Sequence, residues 1–154
     1  MAALEICLTL SRESVNAGTQ ERVRHEEAIV LGSEKLTAFV ATTDVGRAKV
    51  FYRDTLGLRL VREDKFALVF DANETTLRVT PVREVAGAQY TVLGWEVADI
   101  AASARALLQA GVKLERYDWP GFSHDELGIT SGPGGVKLGW FKDPDGNILS
   151  IAQH

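Results

Sequence analysis

The residues best suited to chemistry or to ligand contact lie together in one long stretch, residues 118–135, that has the composition of a loop. It contains the indole of Trp119, the phenyl ring of Phe122 and the imidazole of His124. Loops of this length in compact domains are often lids or binding loops. Two interpretations remain open. Either the rings close over a planar ligand while the imidazole titrates near neutral pH, or the rings cap a core edge and the imidazole is solvated.

Other arrangements of reactive side chains find little support. The three histidines are His25, His124 and His154, and the single cysteine, Cys7, excludes an internal disulfide and a multi-cysteine metal site. The run 124–126 does not predict a metal site, because its neighbouring side chains point in different directions and only one is an imidazole. No serine or cysteine has a base and an orienting partner in a recognisable pattern, so a nucleophilic triad is not predicted.

Composition and charge exclude several classes of protein. With 154 residues, of which 45% are hydrophobic and 25% charged, the chain is typical of one well-buried globular domain. A formal net charge of -4 offers no basic surface for nucleic acid. No apolar run is long enough to span a membrane, and Glu5 interrupts the apolar start, so no signal peptide is predicted. We therefore expect a cytoplasmic protein.

Residues 1–33 differ from the rest of the chain. Apolar residues alternate over 4–10, which predicts a strand, and the stretch 11–35 is rich in charge. Two interpretations of this N-terminal extension remain open: it packs on the domain or on a partner subunit, or it is a swapped arm that completes a dimer. Residues 34–154 then form a single domain.

The domain has two similar halves, each with one strand, one helix and three further strands. Asp44 and Asp99 are suited to cap the two helices, and Gly57 and Gly111 to end them. The aspartates are 55 residues apart and the glycines 54, which indicates a duplicated unit. The predicted strands are 36–43, 59–63, 66–70 and 76–82 in the first half, and 91–97, 112–117, 136–142 and 148–153 in the second.

Two motifs flank this repeat: the helix segment 42–58, TTDVGRAKVFYRDTLGL, and the hairpin turn 143–147, DPDGN. They resemble signatures of the vicinal oxygen chelate superfamily, which includes glyoxalase I, bleomycin resistance proteins and extradiol dioxygenases. The resemblance implies an α+β fold in which two βαβββ modules, about 36–83 and 89–153, form an eight-stranded mixed-sheet cup with the helices outside. It is specific for the fold and not for a reaction, because function depends on the site.

In catalytic members of that superfamily, four cup-facing side chains, usually His, Gln or Glu, hold a divalent metal. The matching positions in this chain are Thr37, Arg78, Val92 and Ser150. Divalent ions need carboxylate or imidazole ligands, whereas valine cannot ligate, hydroxyls are weak ligands and arginine repels a cation. We therefore expect no metal site of the family type and no cofactor, and the metal-dependent isomerase and dioxygenase reactions are not expected.

Strand alternation from these positions predicts the lining of the cup, in which Arg78 and Glu96 are the charged groups. Either Arg78 pairs with Glu96 or reaches solvent at an edge, or its guanidinium clamps a carboxylate or phosphate. Glu96 could act as a general base if burial raises its pKa. Strand parity leaves the orientation of Trp140 open. The predicted ligand-contacting residues are Phe39, Arg78, Val92, Glu96, Trp119, Phe122, His124 and Ser150.

Three functions are compatible with these residues. We favour a metal-independent small-molecule-binding protein, similar to bleomycin resistance proteins, that holds an aromatic or anionic organic ligand under the 118–135 loop and forms a homodimer. An alternative is a glyoxalase-type lyase or isomerase with a displaced metal or with Glu96 and His124 as an acid–base pair. A further alternative is a ligand-free interaction module assembled by its N-terminal arm. Whether the protein is an enzyme stays open.

Overall fold

The computed structural model describes residues 30–154. The strand predicted over 4–10, the roles predicted for the N-terminal extension, and the residues Cys7 and His25 therefore lie outside the described residues. Residues 34–154 form one structural unit. Within the described residues, no helix combines the length and the apolar character needed to cross a membrane.

The first module forms a four-stranded sheet in the order β1-β4-β3-β2. Its strands are β1 (Thr37–Thr42), β2 (Arg59–Glu63), β3 (Leu68–Ala72) and β4 (Thr75–Pro81). β1 runs parallel to β4, and the other pairs are antiparallel. The helix α1 (Val45–Lys49) connects β1 to β2 and continues directly into a π-helical segment, Val50–Thr55.

The second module repeats this topology in the order β5-β8-β7-β6. Its elements are β5 (Thr91–Glu96), α2 (Ile100–Gln109), β6 (Thr130–Ser131), a short 3-10 turn (Pro133–Gly135), β7 (Lys137–Lys142) and β8 (Ile148–Gln153). β5 runs parallel to β8, as β1 does to β4. The predicted α+β fold with two βαβββ modules is confirmed.

Both helices begin and end where the sequence predicts. The carboxylates of Asp44 and Asp99 accept hydrogen bonds from the backbone N–H groups of Arg47 (2.9 Å) and Ala102 (3.0 Å). Gly57 and Gly111 follow with φ of 73° and 87°, values that favour glycine. These caps explain why an aspartate and a glycine recur at matching places in the two halves.

The first helix is not the single α-helix that the sequence predicts, because its second half is π-helical. The N–H of Leu56 donates to the carbonyl of Phe51, five residues earlier, at 2.9 Å. The wider turn buries Phe51 and Tyr52 side by side, with their rings edge to face at 5.2 Å. The π-helical turn shifts the helical register, and in this register both adjacent rings face the core.

The strand predicted over 112–117 is not formed. Only Glu115 makes a bridge to β7, opposite Trp140, and the rest of that edge is taken by β6 from the predicted loop. Leu114 turns inward instead and packs where a Cβ on Gly139 would lie 2.7 Å from its side chain. Packing of one leucine against a glycine in β7 thus takes the place of a regular ladder.

The hairpin turn between β7 and β8 joins the two modules. The carboxylate of Asp145 accepts hydrogen bonds from the hydroxyls of Thr42 and Thr43, both at 2.6 Å, and from the Thr43 N–H at 2.8 Å. The Asn147 amide donates to the carbonyl of Ala41 at 3.0 Å. The turn of the second module therefore fastens the end of β1 in the first.

A second contact of the same turn reaches the π-helical segment. The Tyr52 hydroxyl donates to the buried carboxylate of Asp143 at 2.7 Å. Burial raises the pKa of Tyr52 far above its ordinary value, and the neighbouring Asp143 charge adds to the effect. Burial also raises the pKa of Asp145, but the hydrogen bonds from Thr42 and Thr43 outweigh it and hold this pKa below its ordinary value.

Candidate functional site

Along each strand the side chains alternate between the hydrophobic core and an opposite face, here named the open face of the sheet. In β1, Val40 and Thr42 are buried in the core, whereas Phe39 is 63% exposed on the open face. In β8, Leu149 and Ile151 are buried, whereas Ser150, which lies between them, is partly exposed. The predicted ligand contacts on the strands, apart from Val92, belong to these open faces.

Arg78 lies on the open face of the first sheet, directly opposite Phe39. Its guanidinium carbon is 5.9 Å from the centre of the Phe39 ring, within range of a cation–π contact. None of the ion pairs within residues 30–154 involves Arg78 or Glu96. The guanidinium is thus half-buried beside an aromatic ring without a carboxylate partner among the described residues.

A nearby carboxylate, Asp64, is engaged elsewhere. It accepts hydrogen bonds from the backbone N–H groups of Phe66 (2.8 Å) and Ala67 (3.1 Å), and the Nε of Arg62 lies 3.1 Å away. The pKa of Asp64 is below its ordinary value chiefly because of the Phe66 N–H, and the charge of Arg78 makes only a small contribution. Asp64 therefore leaves the Arg78 guanidinium available.

Ser150 occupies the matching place on the open face of the second sheet. It is paired with Gly94 in β5 and with Trp140 in β7. A Cβ on Gly94 would lie 2.8 Å from the Ser150 hydroxyl oxygen, so the glycine makes room for this hydroxyl. The pairing also settles the orientation of Trp140, which shares the open face with Ser150.

The two modules place the predicted metal-ligand positions at equivalent points. Arg78 is paired with the residue two after Thr37, and Ser150 with the residue two after Val92. Val92 itself lies at a bulge in β5, where alternation fails, and it packs against the hydrophobic core. Two hydroxyls, a guanidinium and a partly buried valine do not form a donor set for a divalent ion.

Elsewhere in the described part of the chain, His, Cys, Asp and Glu side chains form no group of three or more that could hold a metal ion. Glu96 is exposed at the end of β5, opposite Ala152. No hydrogen bond within residues 30–154 joins it to His124. The two residues of the alternative acid–base pair are therefore not in direct contact.

His124 fastens its own loop. Its Nδ1 lies 3.1 Å from the carbonyl oxygen of Gly128, and its Nε2 lies 3.2 Å from the backbone nitrogen of Tyr117 and 3.1 Å from that residue's carbonyl oxygen. In the neutral tautomer with a proton on Nδ1, the ring donates to Gly128 and accepts from Tyr117. Both nitrogens are occupied by backbone groups, so the imidazole holds the loop together.

Four aromatic rings from Tyr117, Trp119, Phe122 and Trp140, here named the aromatic cluster, lie on the open face at the edge of the second sheet. Tyr117 and Trp119 are stacked at 5.2 Å, and Trp140 meets both edge to face, at 5.8 Å and 5.6 Å. Phe122 packs on Trp119 at 5.8 Å. Trp119 and Phe122 are therefore part of an aromatic surface that two residues outside the sequence-predicted set complete.

Sequence reasoning missed Tyr117 as a site residue because it placed this tyrosine in a regular strand. The signal that could have found it is the spacing of Tyr117 and Trp119, two large rings at i and i+2 at the start of the loop.

Two cavities lie outside the open faces. One of about 260 Å³ lies beside the first turn of α2, and one of about 410 Å³ lies between the π-helical segment and Lys142.

Comparisons with known proteins agree with this architecture. The family model of the glyoxalase/bleomycin resistance protein/dioxygenase superfamily matches residues 35–151. No match to a curated protein was found.

Similar solved structures include a superfamily member from Sphaerobacter thermophilus, with a TM-score of 0.61, 18% identity, and coverage of 78% of this chain and 96% of that one. A glyoxalase/bleomycin resistance protein/dioxygenase from Alicyclobacillus acidocaldarius has a TM-score of 0.59, 19% identity, and coverage of 79% and 92%. A lactoylglutathione lyase from Agrobacterium tumefaciens has a TM-score of 0.59, 17% identity, and coverage of 79% and 93%. At these identities the likeness concerns the fold alone.

Proposed function

The chain belongs to the glyoxalase/bleomycin resistance protein/dioxygenase superfamily, and from that premise we propose that it is a metal-independent protein that binds a small organic ligand on its open faces. The observation that carries the proposal is Arg78, a half-buried guanidinium on an aromatic ring without an ion-pair partner among residues 30–154. An arginine presents a planar fork of N–H donors that matches a carboxylate or phosphate. The ligand is therefore anionic, with an apolar or aromatic part.

The chemistry of the residues at the four family positions supports metal independence. Arg78 brings a fixed positive charge to the position where relatives that use a metal have an anionic or neutral ligand. Val92 offers no donor atom, and the hydroxyls of Thr37 and Ser150 bind divalent ions weakly. In this proposal, the guanidinium supplies the positive charge that attracts the oxygen atoms of the ligand.

Homodimer formation and a cytoplasmic location are further parts of the proposal. Several large apolar side chains are exposed on one chain, among them Phe39, Phe66 and Tyr90, at 63%, 63% and 70%. In this proposal, part of this exposed apolar surface is covered by a partner. A second copy of the chain is the simplest cover for it. Size-exclusion chromatography with light scattering is expected to give twice the mass of 16.8 kDa.

The experiment that tests the proposal compares an anionic with a neutral aromatic probe. Calorimetric titration with phenyl phosphate is expected to show binding that Arg78→Met weakens about tenfold or more, because a charge-assisted bidentate contact is lost. Arg53→Met is the matched control, since Arg53 is exposed on the π-helical segment and pairs with Asp54 at 2.6 Å. Phenol is expected to bind the Arg78 variant and the native protein alike.

Two results would overturn the proposal. One is native protein that does not bind phenyl phosphate at millimolar concentration, which would favour the interaction-module alternative. The other is a stoichiometric divalent metal, found by elemental analysis of purified protein and abolished by substitution of Thr37 or Ser150.

A further inference from the structure

Two hydroxyl groups near the edge of the second sheet are buried without a hydrogen-bond partner among residues 30–154: Tyr117 Oη and Thr130 Oγ1. Thr130 is opposite Leu138 in β7, on the same face as Trp140, so it lies on the open face beside the aromatic cluster. A buried hydroxyl that lacks a partner destabilises the folded chain, and such groups are rare in native proteins. Their retention under an aromatic surface points to a partner that is not part of the described chain.

The ring that covers Tyr117 cannot be that partner. Trp119 stacks on it with an interplanar angle of 13°, so the indole N–H lies in a plane nearly parallel to the phenol ring and makes no hydrogen bond to the Tyr117 oxygen, and an indole has no acceptor for the phenolic O–H. The tryptophan therefore packs on the tyrosine ring but leaves the tyrosine hydroxyl without a hydrogen bond. A different planar group with an acceptor at its edge would satisfy both.

The segment that carries Trp119 is held only locally. Its backbone hydrogen bonds run from the Trp119 N–H to the carbonyl of Tyr117 (2.9 Å) and from the Phe122 N–H to the carbonyl of Trp119 (3.0 Å). The second closes a β-turn with Pro120 and Gly121 at its centre, and Gly121 has a φ of 87°. Residues 118–122 are all exposed, and Trp119 itself is 48% exposed.

The chain on both sides of this turn is fixed. Tyr117 donates its N–H to His124, and His124 in turn contacts the carbonyl of Gly128 at 3.1 Å. The arrangement is a six-residue segment, 118–123, between two anchored residues, and it can swing without disturbing the sheet. Local backbone bonds and exposure are the features expected of a segment that opens at low cost.

We propose that Trp119 is a removable plug: a ligand with a planar ring displaces it from Tyr117 and Trp140 and accepts a hydrogen bond from Tyr117 Oη. The ligand class is an aromatic ring system with a carbonyl or carboxylate oxygen at its edge. Tyr117 is the specificity-determining residue, because its hydroxyl selects rings that carry an acceptor. The inference rests on the proposed function in so far as a small organic ligand occupies the open face of the second sheet, but it does not require Arg78.

The test uses indole-3-carboxaldehyde, which has the ring of Trp119 and a neutral acceptor, and indole, which lacks the acceptor. Ligand-observed NMR titration gives both dissociation constants. Tyr117→Phe is expected to weaken aldehyde binding about five- to tenfold and to leave indole binding unchanged. Trp119→Ala is expected to tighten the binding of both probes several-fold, because the ring no longer competes with them.

Protein labelled with 5-fluorotryptophan provides a signal that changes only if the Trp119 ring leaves its place on Tyr117. The 19F resonance of Trp119 is expected to shift toward its solvent value when the aldehyde is added, while that of Trp95, which stacks on Phe141 in the core at 6.4 Å, stays fixed. Tyr117→Phe removes an unsatisfied hydroxyl, so its melting temperature is expected to equal or exceed that of the native protein. Arg78→Met is expected to bind the neutral aldehyde normally, which separates a failure of the anion clamp from a failure of the plug.

Three outcomes overturn the inference. The first is unchanged aldehyde affinity in Tyr117→Phe. The second is weaker binding in Trp119→Ala, which would make the indole a contact of the bound ligand and not a plug. The third is that the aldehyde does not bind even to Trp119→Ala, in which the indole no longer covers Tyr117 and Trp140.

Discussion

The two modules share one topology but differ in their edges. In the first, β2 is a continuous edge strand of five residues, paired with β3 along its length apart from one bulge. In the second, the corresponding edge of β7 is shared between a single bridge at Glu115 and the two-residue strand β6. The chain between them leaves the sheet and carries three of the four rings of the aromatic cluster, so the interrupted edge is what gives the second module its loop.

The open faces differ as well. At equivalent positions, the first module has a guanidinium over a phenyl ring, and the second has a small hydroxyl over a glycine. The first face offers charge, and the second offers space beside flat rings. The two modules thus share one strand order, while their open faces carry side chains of different chemistry.

The largest expected effects test whether the modules are equal as folding units. Phe70 and Phe141 are both fully buried, one in each sheet. Phe70→Ala and Phe141→Ala are each expected to lower the free energy of unfolding by about 3–5 kcal/mol, because each leaves a cavity in a shared core. Urea denaturation followed by intrinsic tryptophan fluorescence and by circular dichroism measures the loss. Two separate transitions, in either variant, would show that the modules fold independently.

The next effect concerns the turn that joins the modules. Asp145→Ala is expected to cost about 2–4 kcal/mol, since it removes three hydrogen bonds donated by Thr42 and Thr43, of which the one from the buried Thr42 hydroxyl is charge-assisted and shielded from water. Its side chain is 2% exposed, whereas that of Asp54 is 49% exposed and pairs with its neighbour Arg53. Asp54→Ala is therefore the matched control and is expected to change stability by less than about 0.5 kcal/mol. Equal costs for the two variants would contradict the joining role.

A dependence on pH follows from the same carboxylate. The folded state holds the pKa of Asp145 below its ordinary value of 3.8, so the unfolded chain binds the proton more readily. Its contribution to stability is present above that ordinary value and is lost as the pH falls through the lower folded-state value. Asp145→Asn is expected to flatten the decline in stability below about pH 4. Urea midpoints between pH 2 and pH 6 measure the difference, and parallel curves for native and variant protein would count against it.

Much of the fold was predictable because its signals are local. The capping aspartates, the helix-ending glycines and the alternation of β8 each depend on a few adjacent residues, and the structure has them where predicted. The prediction of a strand over 112–117 was wrong, because the conformation of this segment depends on the packing of Leu114 against Gly139, a contact between distant parts of the chain. The π-helical segment was not predicted for a similar reason, since its register depends on how the Phe51 and Tyr52 rings pack in the folded core.

The candidate site was predictable in part. Alternation correctly assigned Arg78 and Ser150 to the face opposite the core, but it failed at Val92, where a bulge in β5 shifts the register. The role of His124 could not be read from its type, because its backbone partners, Tyr117 and Gly128, come from the folding of the loop. Tyr117 and Trp140 became visible only when the broken edge brought them together.

The smallest expected effect sharpens the contrast between the two open faces. Gly94→Ala would place a methyl group 2.8 Å from the Ser150 hydroxyl, which must then rotate or the strand must shift. Because the obstacle is the end of a small side chain, the expected cost is about 1 kcal/mol. Adding Ser150→Ala is expected to restore the native free energy of unfolding, as a double-mutant cycle in urea would show. A cost that persists in the double variant would mean that Gly94 is required by its backbone, and that the space in this face was not kept for the hydroxyl.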